Sequence, residues 1–207
     1  MPLERPHLTI TYDDLLAVAG LMRSFPAPWY VSGGWAIDAL AGRATRRHED
    51  LEIGIARGDQ ELLHPHLPGR KLYKILPRAE EAEIVVWEQG DWLKLPVFQI
   101  IVQQEGHSPP EFEFFLNDVF DGEWRFRRDP AIRRPAAEIC LHTASGIPVL
   151  APEIQLLYKA KWHRPKDEHD FRTALGLLTP DQRRWLRESL ETHQPDDPWI
   201  AELERAG

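Results

Sequence analysis

A single cysteine, Cys140, and two methionines stand among 207 residues. One thiol excludes an intrachain disulfide framework and any multi-cysteine zinc knuckle. No apolar run approaches the roughly 20 residues that a membrane-spanning helix needs. The leading MPLERPHLTI also lacks an apolar signal core. A reducing cytoplasm is the expected compartment, with no membrane partner. Positive charge is scarce too, with 25 Lys and Arg against 33 Asp and Glu for a net charge of -8. Such a surface repels phosphate at long range and argues against non-specific binding to nucleic acid. A cationic ligand remains compatible with it, as does a phosphate ligand held through a bound metal. The nine histidines include no HExxH pair, and His163 and His169 miss the i, i+4 spacing of a helical zinc site.

What is present suits a folded domain. Hydrophobic residues make up 43% and charged residues 28%, a balance that supports a real core. Thr11 followed by Asp13 and Asp14, then Leu15, Ala19 and Met22 at helical spacing, predicts a helix over residues 11–23. A short apolar run at 29–31, the turn Ser32, Gly33 and Gly34, and helical spacing over 35–40 read as strand, glycine turn and helix. Residues 50–55 alternate, with Leu51, Ile53 and Ile55 on one face and Asp50, Glu52 and Gly54 on the other. Further strands are expected at 82–87, 97–102 and 112–116, and loops at 64–71 and 105–111. Beyond residue 120 a charge-dense arm precedes helices after Pro152, over 167–178, from the capping box at Thr179, and after Asp197. The expected division is an α/β part at 1–120 and a connecting arm with a helical region at 121–207.

Asp50 and Glu52 project from one strand face, and their carboxylates repel unless a cation or proton lies between them. Mg²⁺ uses one or two carboxylates plus substrate phosphates. The pair therefore suits a metal–triphosphate unit. Glu113, on the open face of a neighbouring strand, is the natural third carboxylate, either completing a two-metal site or taking a proton from a hydroxyl. Alternate acids on a half-exposed strand are most often merely solvated. The combination changes that weighting, because a glycine turn opens a helix whose free N–H groups can cradle phosphate. Arg46, Arg47 and His48 then place donors just ahead of the acids.

The stretch SGGWAIDALAGRATRRHEDLEI resembles the signature of the nucleotidyltransferase superfamily, in the branch of aminoglycoside and lincosamide nucleotidyltransferases. The matching positions are Gly33, Gly34, Trp35, Ala36, Asp38, Gly42, Arg46, His48 and Asp50. The resemblance is specific over residues 31–53, and looser at FEFFLND and PEIQLLYKAKWHRPKDEHDF. It implies an α+β fold, a mixed β-sheet flanked by helices with a C-terminal helical region. It also implies Mg²⁺-dependent transfer of a nucleoside monophosphate from a nucleoside triphosphate, ATP first, to a hydroxyl. On this reading Asp50, Glu52 and Glu113 are the catalytic and metal-binding acids. Ser32, Gly33, Gly34, Arg46, His48 and Lys159 face the nucleotide. One departure is Glu52, where the antibiotic-modifying enzymes more often carry Asp.

Lys159 leads Lys161 and Lys166 as a triphosphate neutraliser; a helix C-terminus decorated with lysine is the plainer account. Arg127, Arg128, Arg133 and Arg134 read first as a solvated arm, and Asp38 as a residue that shapes the following loop. Trp35 is the indole placed to border a nucleotide. Cys140 and His142 would share a strand face, without a third group to make a thiol nucleophile. Acidic charge and small size favour a small cationic acceptor, aminoglycoside-like, over RNA. Two alternatives stand beside it: a catalytically degenerate relative that binds nucleotide or a protein partner, and a toxin-like enzyme acting on a macromolecule. Nothing in the sequence bears on oligomeric state.

Overall fold

The computed structural model describes residues 8–78 and 81–205. The stretch read for a signal core lies outside them up to residue 7. Helix α1 (Tyr12–Met22) opens on a reciprocal capping box: the Asp14 amide donates to Thr11 Oγ1 at 3.3 Å, and the Thr11 amide donates to Asp14 Oδ2 at 2.8 Å. Strand β1 (Trp29–Ser32) runs directly into α2 (Gly33–Leu40), and β2 (Glu52–Ala56) returns antiparallel to β1. A short helix α3 (Leu63–His66) precedes β3 (Lys71–Leu76) and β4 (Glu83–Val86). Strands β5 (Gln99–Gln103) and β6 (Glu111–Asn117) follow.

The arm beyond residue 118 is a small antiparallel sheet of β7 (Val119–Phe120), β8 (Glu123–Arg125) and β9 (Arg133–Pro135). The chain then re-enters the main sheet through β10 (Cys140–His142) and β11 (Pro148–Leu150). Helices α4 (Pro152–Lys159), α5 (Pro165–Leu175), α6 (Pro180–His193) and α7 (Trp199–Arg205) complete it. The fold class is α+β, as the resemblance implies. Among the described residues no helix is long and apolar enough to cross a membrane.

The eight-stranded sheet is mixed, in the order β10-β11-β1-β2-β6-β5-β3-β4. Strands β2 and β6 run parallel, with Glu52 opposite Glu113, and β11 runs parallel to β1, with Val31 opposite Val149. The sheet therefore draws two strands from the part expected as arm and helical region. Alternation sets its two faces. Val31, Ile53, Ile55 and Phe114, each fully excluded from solvent, share one core cluster with Leu15, Val18 and Met22 of α1. Burying each such side chain contributes about 1.5–3 kcal/mol. With that face committed to the core, Ser32, Glu52 and Glu113 must point to the other.

Three expectations differ. Most of helix α3 and Lys71, the first residue of β3, fall in the stretch 64–71 expected as loop, and the pairing of β3 to both β4 and β5 outweighs its weak local patterning. Helix α2 begins at Gly33, two residues before the expected start. Trp35 borders no open cleft: it is 1% exposed, and its ring stacks on that of His48 at 4.3 Å between centroids.

Candidate functional site

Ser32 of β1, Glu52 of β2 and Glu113 of β6 lie in one row across three neighbouring strands. Strand spacing puts their Cα atoms about 5 Å apart. Gly33 follows with φ +70°, a conformation that glycine adopts without a steric penalty. A Cβ there would lie 2.8 Å from Glu52 Oε2, so the glycine also lets the carboxylate reach the helix start. The Gly33 amide donates to Gln155 Oε1 of α4 at 2.7 Å, which ties the turn to the C-terminal helices.

Asp50 lies just ahead of β2, and Lys166 Nζ stands 3.9 Å from its Oδ2. Gln99 Nε2 donates to Glu113 Oε2 at 2.6 Å and orients that carboxylate. Burial first, then the charges of Asp50 and Glu113, push the Glu52 pKa up to about 8, against a partial opposing pull from Lys159 and Lys166. The three acids thus act on one another electrostatically, as expected of groups that share a counter-charge. Among the described residues no three His, Cys, Asp or Glu converge closely enough to close around an ion unaided. A magnesium ion requires less, since one or two carboxylates together with phosphates and water suffice. The buried Ser32 Oγ, which has no hydrogen-bond partner, adds a further oxygen beside the acids. This donor set fits a hard divalent cation.

Arg46 and His48 meet the start of α2 from behind. A Cβ on Gly34 would sit 1.9 Å from Arg46 Nη2 and 2.8 Å from His48 Cε1, so only glycine admits them. Arg46 makes a two-pronged pair with the buried Asp170 of α5, at 2.7 and 2.9 Å. His48 is 1% exposed, with Nε2 2.7 Å from Asp38 Oδ2. Burial raises the Asp38 pKa, but hydrogen bonds from His48 and Thr45 outweigh it and hold the carboxyl below its ordinary value. Lys159 Nζ reaches Asp170 at 2.8 Å and Asp167 at 3.5 Å, and Arg164 Nε pairs with Asp167 at 2.7 Å. For both aspartates burial acts upward and the neighbouring cations win, so they remain ionised. The chain Arg46, Asp170, Lys159, Asp167, Arg164 locks α4 and α5 to the loop that carries the acids.

A cleft opens over the row. Ser32, Gly33, Glu52 and Lys159 line one end of it, while Phe115, Asn117, Arg127, Arg128 and Tyr158 line the rest. Asp50, Glu113, Gly34, Arg46 and His48 are not among the residues that line it. Sequence reasoning missed Gln155, Asp167 and Asp170. The i, i+3 spacing of the two aspartates on α5 was the available signal, but their partners Lys159 and Arg46 come from other elements. Arg134 pairs with Glu153 of α4 and so belongs to the packing of the arm. Burial pushes the Cys140 thiol up, away from a thiolate nucleophile.

Residues 14–70 match the family model described as aminoglycoside-2''-adenylyltransferase. A 2''-aminoglycoside nucleotidyltransferase of Escherichia coli is 41% identical over 51 residues, 23% of this chain and 29% of that protein. One of Klebsiella pneumoniae is 46% identical over 46 residues, 21% of this chain and 26% of that protein. The match therefore spans less than a third of these curated relatives. Among solved structures, the lincosamide antibiotic adenylyltransferase LnuA, lincomycin-bound, aligns at 18% identity and TM-score 0.55, covering 83% of this chain and 100% of that one. ANT(2'')-Ia in complex with adenylyl-2''-tobramycin aligns at 16% identity and TM-score 0.51, covering 88% and 99%. The resemblance read over residues 31–53 is thus met in the sequence of the first third, and the likeness in fold to these nucleotidyltransferases extends over 83–88% of the chain.

Proposed function

We propose that this protein transfers a nucleoside monophosphate from a nucleoside triphosphate, ATP first, to a hydroxyl of a small molecule. The observation that carries the reading is the row Ser32, Glu52 and Glu113 at the mouth of the Gly33 turn, where burial and then the like charges of Asp50 and Glu113 raise the Glu52 pKa to about 8. Asp50 and Glu52 would hold Mg²⁺, with Glu113 as third carboxylate; bound there, the ion would neutralise triphosphate charge and polarise the reacting phosphoryl group. Ser32 Oγ and the start of α2 meet phosphate oxygens. Lys159, braced by Asp167 and Asp170, adds positive charge beside Glu52. Arg46 and His48 act from behind, fixing the turn. In the transfer, the acceptor oxygen bonds to the α-phosphorus, the bond from that phosphorus to pyrophosphate breaks, and the hydroxyl proton passes to a carboxylate of the row, Glu113 in this reading. The names of the relatives supply aminoglycosides and lincosamides as acceptors to screen.

Calorimetry of ATP and GTP with Mg²⁺, on wild type and on the Asp50→Asn, Glu52→Gln double variant, tests this. Metal-dependent binding that the variant loses is expected. Equal binding by both proteins would sink the assignment. Glu52, the departure from the more usual Asp, motivates one second reading, nucleotide binding without transfer. Nucleotide binding with no pyrophosphate release across the acceptor screen would support it.

A further inference from the structure

The cleft changes character along its length. From the acid row, its floor follows β6 through Phe115 to Asn117, four residues past Glu113 and so roughly 13 Å along the strand. Beside this floor the Tyr30 ring lies over Gly54, where a Cβ would approach it to 2.1 Å. The wall there is Arg127, Arg128 and Tyr158. The Arg127 guanidinium stacks 3.4 Å over the Phe98 ring, and Arg128 Nη1 donates to the Tyr158 carbonyl at 2.7 Å. Among the described residues neither arginine has an ion-pair partner, since neighbouring Asp118 is engaged by Arg57 at 2.5 Å. Lys159 and Arg164, the other cations of the lining, are matched by Asp170 and Asp167.

The polar groups left over at this end donate. Tyr30 is 5% exposed, and its hydroxyl has no hydrogen-bond partner. Burial raises its pKa, so the O–H proton stays on. Asn117 is satisfied, giving Nδ2 to the Phe115 carbonyl and accepting from Trp124 Nε1. A ligand portion that fits here must bring acceptor oxygens and negative charge. A polycation would set its ammonium groups beside two guanidinium groups that have no ion-pair partner among the described residues. The stretch matched by the aminoglycoside family model ends at residue 70, so the likeness does not reach this wall.

We infer that the acceptor is a hydroxyl-bearing anion whose carboxylate or phosphate is held by Arg127, Arg128 and Tyr30, and that polycationic aminoglycosides are not substrates. This rests on the nucleotidyl-transfer reading. The triphosphate is the other possible source of the same anionic chemistry, and the test separates the two.

The full chain is loaded with Mg²⁺ and a non-hydrolysable ATP analogue, then titrated with anilinonaphthalene sulfonate, an aromatic anion, and with tobramycin, a polycation. The sulfonate is expected to bind wild type and to bind Arg127→Gln, Arg128→Gln about tenfold more weakly. Arg127→Lys, Arg128→Lys should retain most of the affinity. Tobramycin should neither displace the sulfonate nor release pyrophosphate from ATP. If the glutamine pair fails to fold, salt dependence in wild type decides: affinity must fall as NaCl rises. Tobramycin turnover, salt-independent sulfonate binding, or unchanged affinity in a folded glutamine pair would each overturn the inference. So would a tenfold loss of the ATP analogue itself in that variant, which would give the anion to the triphosphate. Failure of wild type to bind the analogue would sink the transfer reading instead. Sulfonate titration without nucleotide would then still decide whether the arginines hold an anion.

Discussion

Glu52 concentrates the charge conflict of the site. With its pKa raised from 4.5 to about 8, the folded metal-free protein keeps a proton that the unfolded chain has released. Between those values the unfolded state binds fewer protons, so stability falls as pH rises through the window. Glu52→Gln removes that dependence. Melting temperatures in EDTA should show the variant's advantage over wild type growing from pH 5 to pH 8; an advantage that shrinks instead would contradict the raised pKa. Two glycines make a second contrast at this scale. Gly34→Ala forces a methyl against Arg46 and His48, an overpacking that costs about 1–3 kcal/mol. Gly20→Ala, inside α1 with open space around it, should stabilise by about 0.5–1 kcal/mol. Urea denaturation of both variants checks the opposite signs. The acids, the turn glycines and Lys159 were all legible as residues. What each touches was not, because Asp170 lies 124 positions from Arg46.

Elements were legible where their signals are local. The Thr11 capping box starts α1 within a residue of its expected place, and the Thr179 box starts α6 as expected. The alternation that turns Glu52 to the face opposite Ile53 and Ile55 holds in β2, with those two isoleucines buried. Strand β11 escaped notice, being three residues long and dependent on the distant β1 and on β10 for pairing. Helix α5 shows how an element can be expected while its role is hidden. Its Asp167 and Asp170 hold Lys159, Arg164 and Arg46 together in a buried network. Asp170→Ala leaves Arg46 uncompensated and Lys159 with only Asp167 at 3.5 Å, and should cost about 3–5 kcal/mol in urea denaturation. A loss under about 1 kcal/mol would mean the network is not what locks α4 and α5 to the acid-bearing loop.

At the scale of the molecule, the main sheet closes only when residues from both sides of position 120 come together. A fragment ending at 120 lacks β11, leaving β1 unpaired along one edge. It also lacks Val149, Leu150, Ile154 and Leu157 of the shared core. Circular dichroism and amide-proton dispersion should therefore show no cooperative fold for residues 1–120; a sharply melting fragment would support a division at that point. The same joining builds the cleft, whose lining takes Ser32 and Glu52 from the first third, Phe115 and Asn117 from the middle, and Arg127, Arg128 and Lys159 from beyond. Cap signals, strand alternation and the stretch from Gly33 to Asp50 act over a few residues, so the order of residues sufficed to indicate α1, β2, the acid pair and the likeness to nucleotidyltransferases. Partners chosen by packing depend on which surfaces bury together, and no local pattern encodes that. Only the folded chain set Gln155 on the Gly33 amide, turned Arg46 and His48 toward the back of the turn, and left Arg127 and Arg128 facing the cleft without an ion-pair partner among the described residues.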